Sequence, residues 1–311
     1  MRALLAGLLL GAGLLAPAGA EEAVVTAQNA NAVDIVDLAA GRVAATLPVP
    51  GAPAGVALSP DRARAYVTAP EGKALVVIDL AARRVAGTVA LGGGPLGVGV
   101  NPASGEVYVA DWYAKRLWAV DPGTLAVTGE IAVGTSPSGI AATRDGRLIL
   151  VTDRDDDAVS VVDAATRRRV AVVKVGTRPF GVTLDPDGQR AYTANVGSND
   201  VSVIDLAARR EIARVPVGER PYAVALTGGR AFVTDQYGGT VSTFDLAGLT
   251  PGPRIEVGEY PEGIAASRDG RRVYVANWES NTVSVIDTDS LRVTGQVRTS
   301  DGPRAFGDFL R

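Results

Sequence analysis

A proline recurs at Pro53, Pro95, Pro137, Pro179, Pro221, Pro261 and Pro303, and an aspartate at Asp37, Asp79, Asp121, Asp163, Asp205, Asp245 and Asp287. Successive prolines stand 42 residues apart, shortened to 40 between Pro221 and Pro261. A fixed period of about forty residues marks a repeat architecture, and each period carries four short β-prone runs divided by turn signals. Together these predict an all-β chain, a seven-bladed β-propeller of four-stranded antiparallel blades. It is closed by pairing of the C-terminal inner strand with an N-terminal partial blade.

The fifth repeat shows the unit most clearly. Gly181 to Leu184 is a β-prone run, Asp185-Pro-Asp-Gly188 a strong turn signal, and Arg190 to Ala194 a second run. A polar link from Asn195 to Asp200 precedes Val201 to Ile204, Asp205 opens another turn, and Glu211 to Val217 closes the unit. No run reaches about ten residues between turn signals, so helices are excluded. Asp205 and its six equivalents end a strand, where a carboxylate accepts backbone N–H groups two residues on and pins the turn. The Pro-x-Gly element fixes φ at the proline and permits close approach at the glycine. Tyr66, Tyr108, Tyr192, Phe232 and Tyr274 share one place in the second strand and read as packing between blades.

The two ends are incomplete in complementary ways. The first repeat begins at what is elsewhere the second strand, Val24-Val-Thr-Ala, whereas Pro303 to Arg311 reads as an inner strand with nothing after it. Joining them completes the ring and removes the exposed edges of an open array. The sixth repeat is shorter because Thr227-Gly-Gly-Arg230 replaces the longer turn of the Asp-Pro-Asp-Gly kind.

Composition narrows the chemistry. Residues 1–20 read as a secretory signal peptide: Arg2, an apolar run from Ala3 to Ala16, and the small-residue site Ala18-Gly19-Ala20. The propeller then occupies residues 21–311, with no membrane span once the signal is cleaved. The whole chain carries a formal net charge of -3, contains neither Cys nor His, and has Met1 as its one methionine. These absences exclude disulfides, zinc held by its usual ligands, haem held by His, Cys or Met, the Ser-His-Asp triad and the Cys-His pair. No cofactor or metal is expected, and with no recognisable catalytic constellation the chain is expected not to be an enzyme.

The units Tyr66-Val-Thr-Ala69, Tyr108-Val-Ala-Asp111, Tyr192-Thr-Ala-Asn195 and Tyr274-Val-Ala-Asn277, each followed by a strand such as Val283-Ser-Val-Ile-Asp287, resemble the YVTN-type β-propeller repeat. The resemblance covers about Ala23 to Arg311 and implies a bacterial periplasmic propeller or an archaeal surface-layer protein. Similar proteins include one that binds single-stranded DNA, others that accompany quinone-dependent catabolic dehydrogenases, and, more broadly, lactonases and the haem d1 domain of nitrite reductase. That domain depends on a His that this chain lacks.

In the usual propeller strand order, the links from fourth to first strand and from second to third share one rim. That rim gathers Trp112, Tyr113, Phe180, Tyr222, Tyr237, Tyr260 and Trp278, none at a position the repeat requires. It also holds Arg178, Arg220 and Arg304 among more numerous acidic residues, including the run from Asp153 to Asp157. The opposite rim is rich in arginine pairs such as Arg83-Arg84 and Arg271-Arg272. Loop aromatics are the kind of surface that anchors a partner. The expected ligand-binding residues are Trp112, Tyr113, Arg178, Phe180, Arg220, Tyr222, Tyr260, Trp278 and Arg304, engaging another periplasmic protein or an extended ligand. Single-stranded nucleic acid is the alternative, since bases stack on rings while cations follow phosphates. A lactonase-like enzyme with an ion at the acidic run is a third reading, against which charge runs are usually solvated surface.

Overall fold

The structure is a computed structural model and describes residues 21–311, so the expected signal peptide lies outside the described residues. Seven β-sheets follow one another around a central axis. In the fifth blade the strands are Pro179–Leu184, Arg190–Asn195, Asp200–Asp205 and Arg210–Pro216, paired antiparallel in sequence order from channel to periphery. The second, third, fourth, sixth and seventh blades repeat this order. Among the described residues no helix is long and apolar enough to cross a membrane.

The inner strand starts two residues earlier than the hydrophobic pattern implies, at the proline itself. Between Pro179 and Val182 it takes one residue more than its partner does between Asn195 and Thr193, a β-bulge that recurs in the third, fourth, sixth and seventh blades. Proline is tolerated there because an inner strand is an edge strand, and its N–H position faces the channel. The glycine two residues after the proline lies within the bulge. A Cβ on Gly97, Gly139, Gly181 or Gly263 would press on the backbone of the next inner strand, so these strands approach as closely as backbones allow.

A threonine locks that approach. The hydroxyls of Thr26, Thr68, Thr152 and Thr234, all fully buried, occupy one position in the second strand. Each donates to the carbonyl of the residue after the next blade's proline, Ala54, Leu96, Phe180 and Glu262 respectively, at 2.6–2.9 Å. Each also accepts the N–H of the bulge residue, Ala305, Gly55, Gly139 and Ala223 respectively. Tyr66, Tyr108, Tyr192, Phe232 and Tyr274 are at most 1% exposed, which places them in the interior between blades. All seven recurrent aspartates pin their turns, although the accepted N–H mostly lies three residues on rather than two.

The ring closes through the C-terminal segment. Residues 303–311 run antiparallel to the strand Glu22–Ala27, with Val24 N–H donating to Phe309 O at 2.8 Å and Arg304 N–H to Thr26 O at 2.8 Å. Beyond the expected pairing, Phe306 and Gly307 also pair parallel with Gly55 and Val56 of the second blade. The tail therefore ties two blades at once. Glu22, 9% exposed, is ion-paired with Arg311 of the tail and Arg83 of the second blade.

In the sixth blade Thr227 pairs directly with Arg230 across Gly228 and Gly229, both at positive φ (57° and 72°), a two-residue hairpin that only glycine-like residues form cheaply. Its fourth strand shrinks to Ile255–Glu256, because Pro251 and Pro253 remove two ladder donors. Thr243 compensates by donating its hydroxyl to Pro253 O at 2.7 Å.

Replacing Thr152 by the near-isosteric Val leaves the buried Gly139 N–H unpaired and the Phe180 C=O with only the longer bond from the Ser138 hydroxyl at 3.3 Å. The expected loss is about 1–3 kcal/mol, seen as a lower urea midpoint with an unchanged m-value; an unchanged midpoint would show that the hydroxyl is not a latch.

Candidate functional site

The loops between second and third strands and between fourth and first strands are hydrogen-bonded to one another on one rim, as in Trp112 N–H to Gly94 O and Trp278 N–H to Tyr260 O. The side chains expected to form a binding surface divide into two groups there. Tyr113 (79% exposed) and Tyr237 (55%) stand in solvent, and they occupy the same loop position in the third and sixth blades. Arg178 is exposed, whereas Trp112, Tyr260, Trp278 and Arg220 are half-buried. Tyr237, Tyr260 and Trp278 form a chain of tilted rings with centroids 5.5 and 6.1 Å apart, and the Arg220 guanidinium lies 4.7 Å from the centre of the Tyr237 ring. Arg178, Arg220 and Tyr260 each immediately precede the repeat proline and adopt positive φ (54°, 55° and 52°), a left-handed conformation that costs a non-glycine residue about 1–2 kcal/mol. The turn that feeds each inner strand thus fixes where these side chains leave the rim.

Phe180, Tyr222 and Arg304 are a correction to the expectation of rim exposure. Phe180 is 7% and Tyr222 4% exposed. Their rings lie 4.2 Å apart, each within 5.4 Å of Phe306, and together they cross the channel. The reason is geometric: the residue after each repeat proline points at the axis, so large side chains at this position in adjacent blades must meet. Arg304 occupies that position in the first blade. Its Nε donates to Glu262 at 2.6 Å and its Nη2 to the Tyr222 hydroxyl at 2.6 Å. Gln236 Nε2 donates to Glu262 as well, and Arg220 Nε donates to Gln236. Burial works to lower the Arg304 pKa, but the Glu262 carboxylate and the Tyr222 hydroxyl outweigh it and hold the guanidinium above its ordinary range. Burial also pushes the Tyr222 hydroxyl up, keeping it neutral. This network is a plug with an ion pair at its centre; the Arg304 charge is committed within the protein.

The acidic run is likewise consumed. Asp153 ends its strand, Arg154–Asp156 form a single 3-10 turn, and the carboxylates of Asp153, Asp156 and Asp157 accept the N–H groups of Gly134, Thr135 and Arg178 at 2.8 Å each. Among the described residues no cluster of acidic side chains could hold a metal ion. Asp153 is fully buried, and its carboxyl is pushed up to about 6, chiefly by burial, against the pull of hydrogen bonds from Ser160 and Gly134. Asp111, Asn195, Asp235 and Asn277 occupy the same strand end, so this position holds loops in every blade that has it.

On the far side of the plug lies a cavity of about 620 Å³, opening towards the turns between first and second strands. Phe306 belongs both to its wall and to the ring cluster, and so forms its floor. The hydrophobic pattern gave no signal for this cavity, because inner strands of small residues read alike whether they meet or leave a space.

No protein-family model matches the chain, and no curated protein does. Solved structures match it along most of its length. A hydrazine synthase chain of Kuenenia stuttgartiensis superposes with a TM-score of 0.75 at 21% identity, covering 82% of this chain and 89% of that one. A functionally unknown protein of Desulfotomaculum acetoxidans DSM 771 gives 0.78 at 16%, covering 92% and 99%. The dihydro-heme d1 dehydrogenase NirN, in complex with DHE, gives 0.70 at 18%, covering 91% and 74%. The shared feature is the fold. Two of these three chains belong to enzymes, which overturns the expectation that this chain is not one. The absence of His and Cys excludes particular ligands and nucleophiles; it does not exclude catalysis on this scaffold.

Asp153→Asn replaces the buried carboxyl by the amide found at Asn195 and Asn277. Because the folded pKa is raised, the carboxyl's contribution is fully present below the unfolded value near 4 and is lost as pH rises through about 6. The variant is therefore expected to gain on the order of 2 kcal/mol over wild type between pH 4 and 7. Denaturant midpoints measured across that range check it, and a pH-independent difference would refute the assignment.

Proposed function

We propose that this is a periplasmic propeller of the YVTN-repeat type that binds a partner protein or an extended ligand across the rim carrying Tyr113, Tyr237, Tyr260 and Trp278. The observation that carries the reading is the exposure of Tyr113 and Tyr237 at 79% and 55%. The remaining large exposed hydrophobics, Val85, Val127, Val170, Val172 and Ile212, lie on outer fourth strands, away from the rim. A solvent-facing tyrosine offers a rigid apolar ring with a hydrogen-bonding tip, which is why tyrosine anchors interfaces. The half-buried rings behind it keep Tyr237 from swinging freely, lowering the entropy cost of binding. Secretion, if residues 1–20 act as the signal peptide their sequence resembles, would place this surface in the periplasm.

Single-stranded nucleic acid is the second reading, favoured by Arg220 lying over the Tyr237 ring and by the exposed Arg178. Such binding would weaken steeply with salt. The acidic residues of the same rim, among them Glu219 and Glu259, favour a protein or a neutral ligand over a polyanion.

Immobilised wild type and a Tyr113→Ser, Tyr237→Ser double variant are to be compared for capture from periplasmic extract and for binding of a single-stranded oligonucleotide at two salt concentrations. Both tyrosines are exposed, so the variant is expected to fold normally. Interface aromatics contribute about 2 kcal/mol or more each, so the captured partner should fall away from the variant. Identical captured sets from both proteins would end the reading, and salt-sensitive oligonucleotide binding would replace it with the nucleic-acid one.

A further inference from the structure

Four turns between first and second strands share one geometry, closed by an N–H to C=O bond spanning three residues: Arg62 to Ser59, Gly146 to Thr143, Gly188 to Asp185 and Gly270 to Ser267. The donor in each adopts positive φ, which glycine accepts at no cost. The second blade alone in this set uses arginine, at φ 58°. A strained residue at a position where its equivalents are relaxed points to work done by its side chain.

That side chain lines the mouth of the axial cavity. Arg62 Nη1 donates to Asp308 at 2.6 Å and to Leu310 O at 2.9 Å, both on the C-terminal segment. Among the described residues no protein atom accepts from its Nε or Nη2. Those two N–H groups form the edge of a guanidinium that takes a carboxylate in two-pronged fashion. Arg62 and Asp308 are the charged residues in the cavity lining; the other side chains are aliphatic or glycine, with Val98, Ile140, Val182, Val224 and Ile264 contributed by five successive blades. The exceptions are the aromatic ring of Phe306 and Thr183, whose hydroxyl donates to Val224 O, and the free backbone edges of the inner strands add polar wall between the side chains. The cavity volume, about 620 Å³, falls within the range of small-molecule sites, and Phe306 closes its inner end.

We infer that the axial cavity is a binding site for a small amphipathic monocarboxylate, with its apolar body in the channel and its carboxylate on the Nε–Nη2 edge of Arg62. The site is separate from the aromatic rim, which lies beyond the Phe180, Tyr222 and Phe306 plug. Asp308 keeps Nη1 and holds the fork in place. A neutral ligand of the same shape gains the burial but leaves the guanidinium edge unpaired, so the site discriminates by charge.

Calorimetric titration with decanoate and with decan-1-ol is the test, using wild type, Arg62→Gly and Ala142→Phe. Arg62→Gly adopts the residue of the sister turns and relieves the positive φ but gives up the two bonds to the C-terminal segment, so its unfolding midpoint is measured alongside to establish that it is folded. Wild type should bind decanoate saturably at one site and decan-1-ol roughly tenfold more weakly, as expected for loss of a charge-assisted bond. Arg62→Gly should weaken decanoate roughly tenfold and leave decan-1-ol unchanged. Ala142→Phe, which adds bulk at the cavity wall, should weaken both ligands. Absence of saturable decanoate binding to wild type overturns the inference. So does equal affinity for the two ligands, an Arg62→Gly variant that is folded and binds decanoate as wild type does, or indifference to Ala142→Phe.

Discussion

The structure depends on a closed ring in which every inner strand has a neighbour on both sides. Closure is made by nine C-terminal residues, 303–311, whose backbone completes the first blade and whose Phe306 and Gly307 pair with the second. An open array of blades would present two unpaired sheet faces and their edges, surfaces that folded proteins avoid. The same principle acts locally. Bulge glycines let inner strands approach until a threonine hydroxyl can join the N–H of one blade to the carbonyl of the next. Where alanine stands in the threonine's place, at Ala110, Ala194 and Ala276, the latch is absent, and packing of the adjacent tyrosines holds the blades together.

Filling the axis has a functional consequence. Phe180, Tyr222 and Phe306 meet because three blades direct the residue at or near the same height into one narrow space, and the Arg304–Glu262 pair completes the plug on the rim side. A buried ion pair of this kind adds little net stability against an apolar alternative, yet losing one partner leaves an uncompensated charge. The plug divides the molecule into an aromatic rim on one side and, on the other, a cavity walled largely by aliphatic side chains and inner-strand backbone, with Arg62 and Asp308 at its mouth. Two chemically different surfaces can then evolve separately on one scaffold.

Much of this was legible in the repeat. The spacing of the prolines and aspartates implies blade number, strand order and closure, because each recurrence of the spacing corresponds to one supersecondary unit, and the five aromatics of the second strand are interior as their shared position implies. The candidate site was legible only in part. Placing Trp112, Tyr113, Tyr237, Tyr260 and Trp278 on one rim follows from strand order, but the burial of Phe180, Tyr222 and Arg304 depends on convergence from different blades, which no single repeat displays. Arg62 carried a readable signal, an arginine where Gly146, Gly188 and Gly270 stand, but its meaning required the position of Asp308 across the seam. The exclusion of catalysis failed for a different reason: missing residue types remove specific chemistries, whereas the hydrazine synthase and dehydrogenase chains show that enzymes use this fold.

If closure is integral to one cooperative unit, the seam should be as protected as the middle of a blade. Native-state hydrogen exchange at the amides of Val24, Arg304 and Arg311, compared with Val203 within the fifth blade, measures this directly. The account predicts that the seam amides exchange only through global unfolding, with the same free energy and denaturant dependence as Val203. Exchange of the seam at markedly lower free energy, with little denaturant dependence, would mean that the tail opens by itself and that the ring does not depend on it.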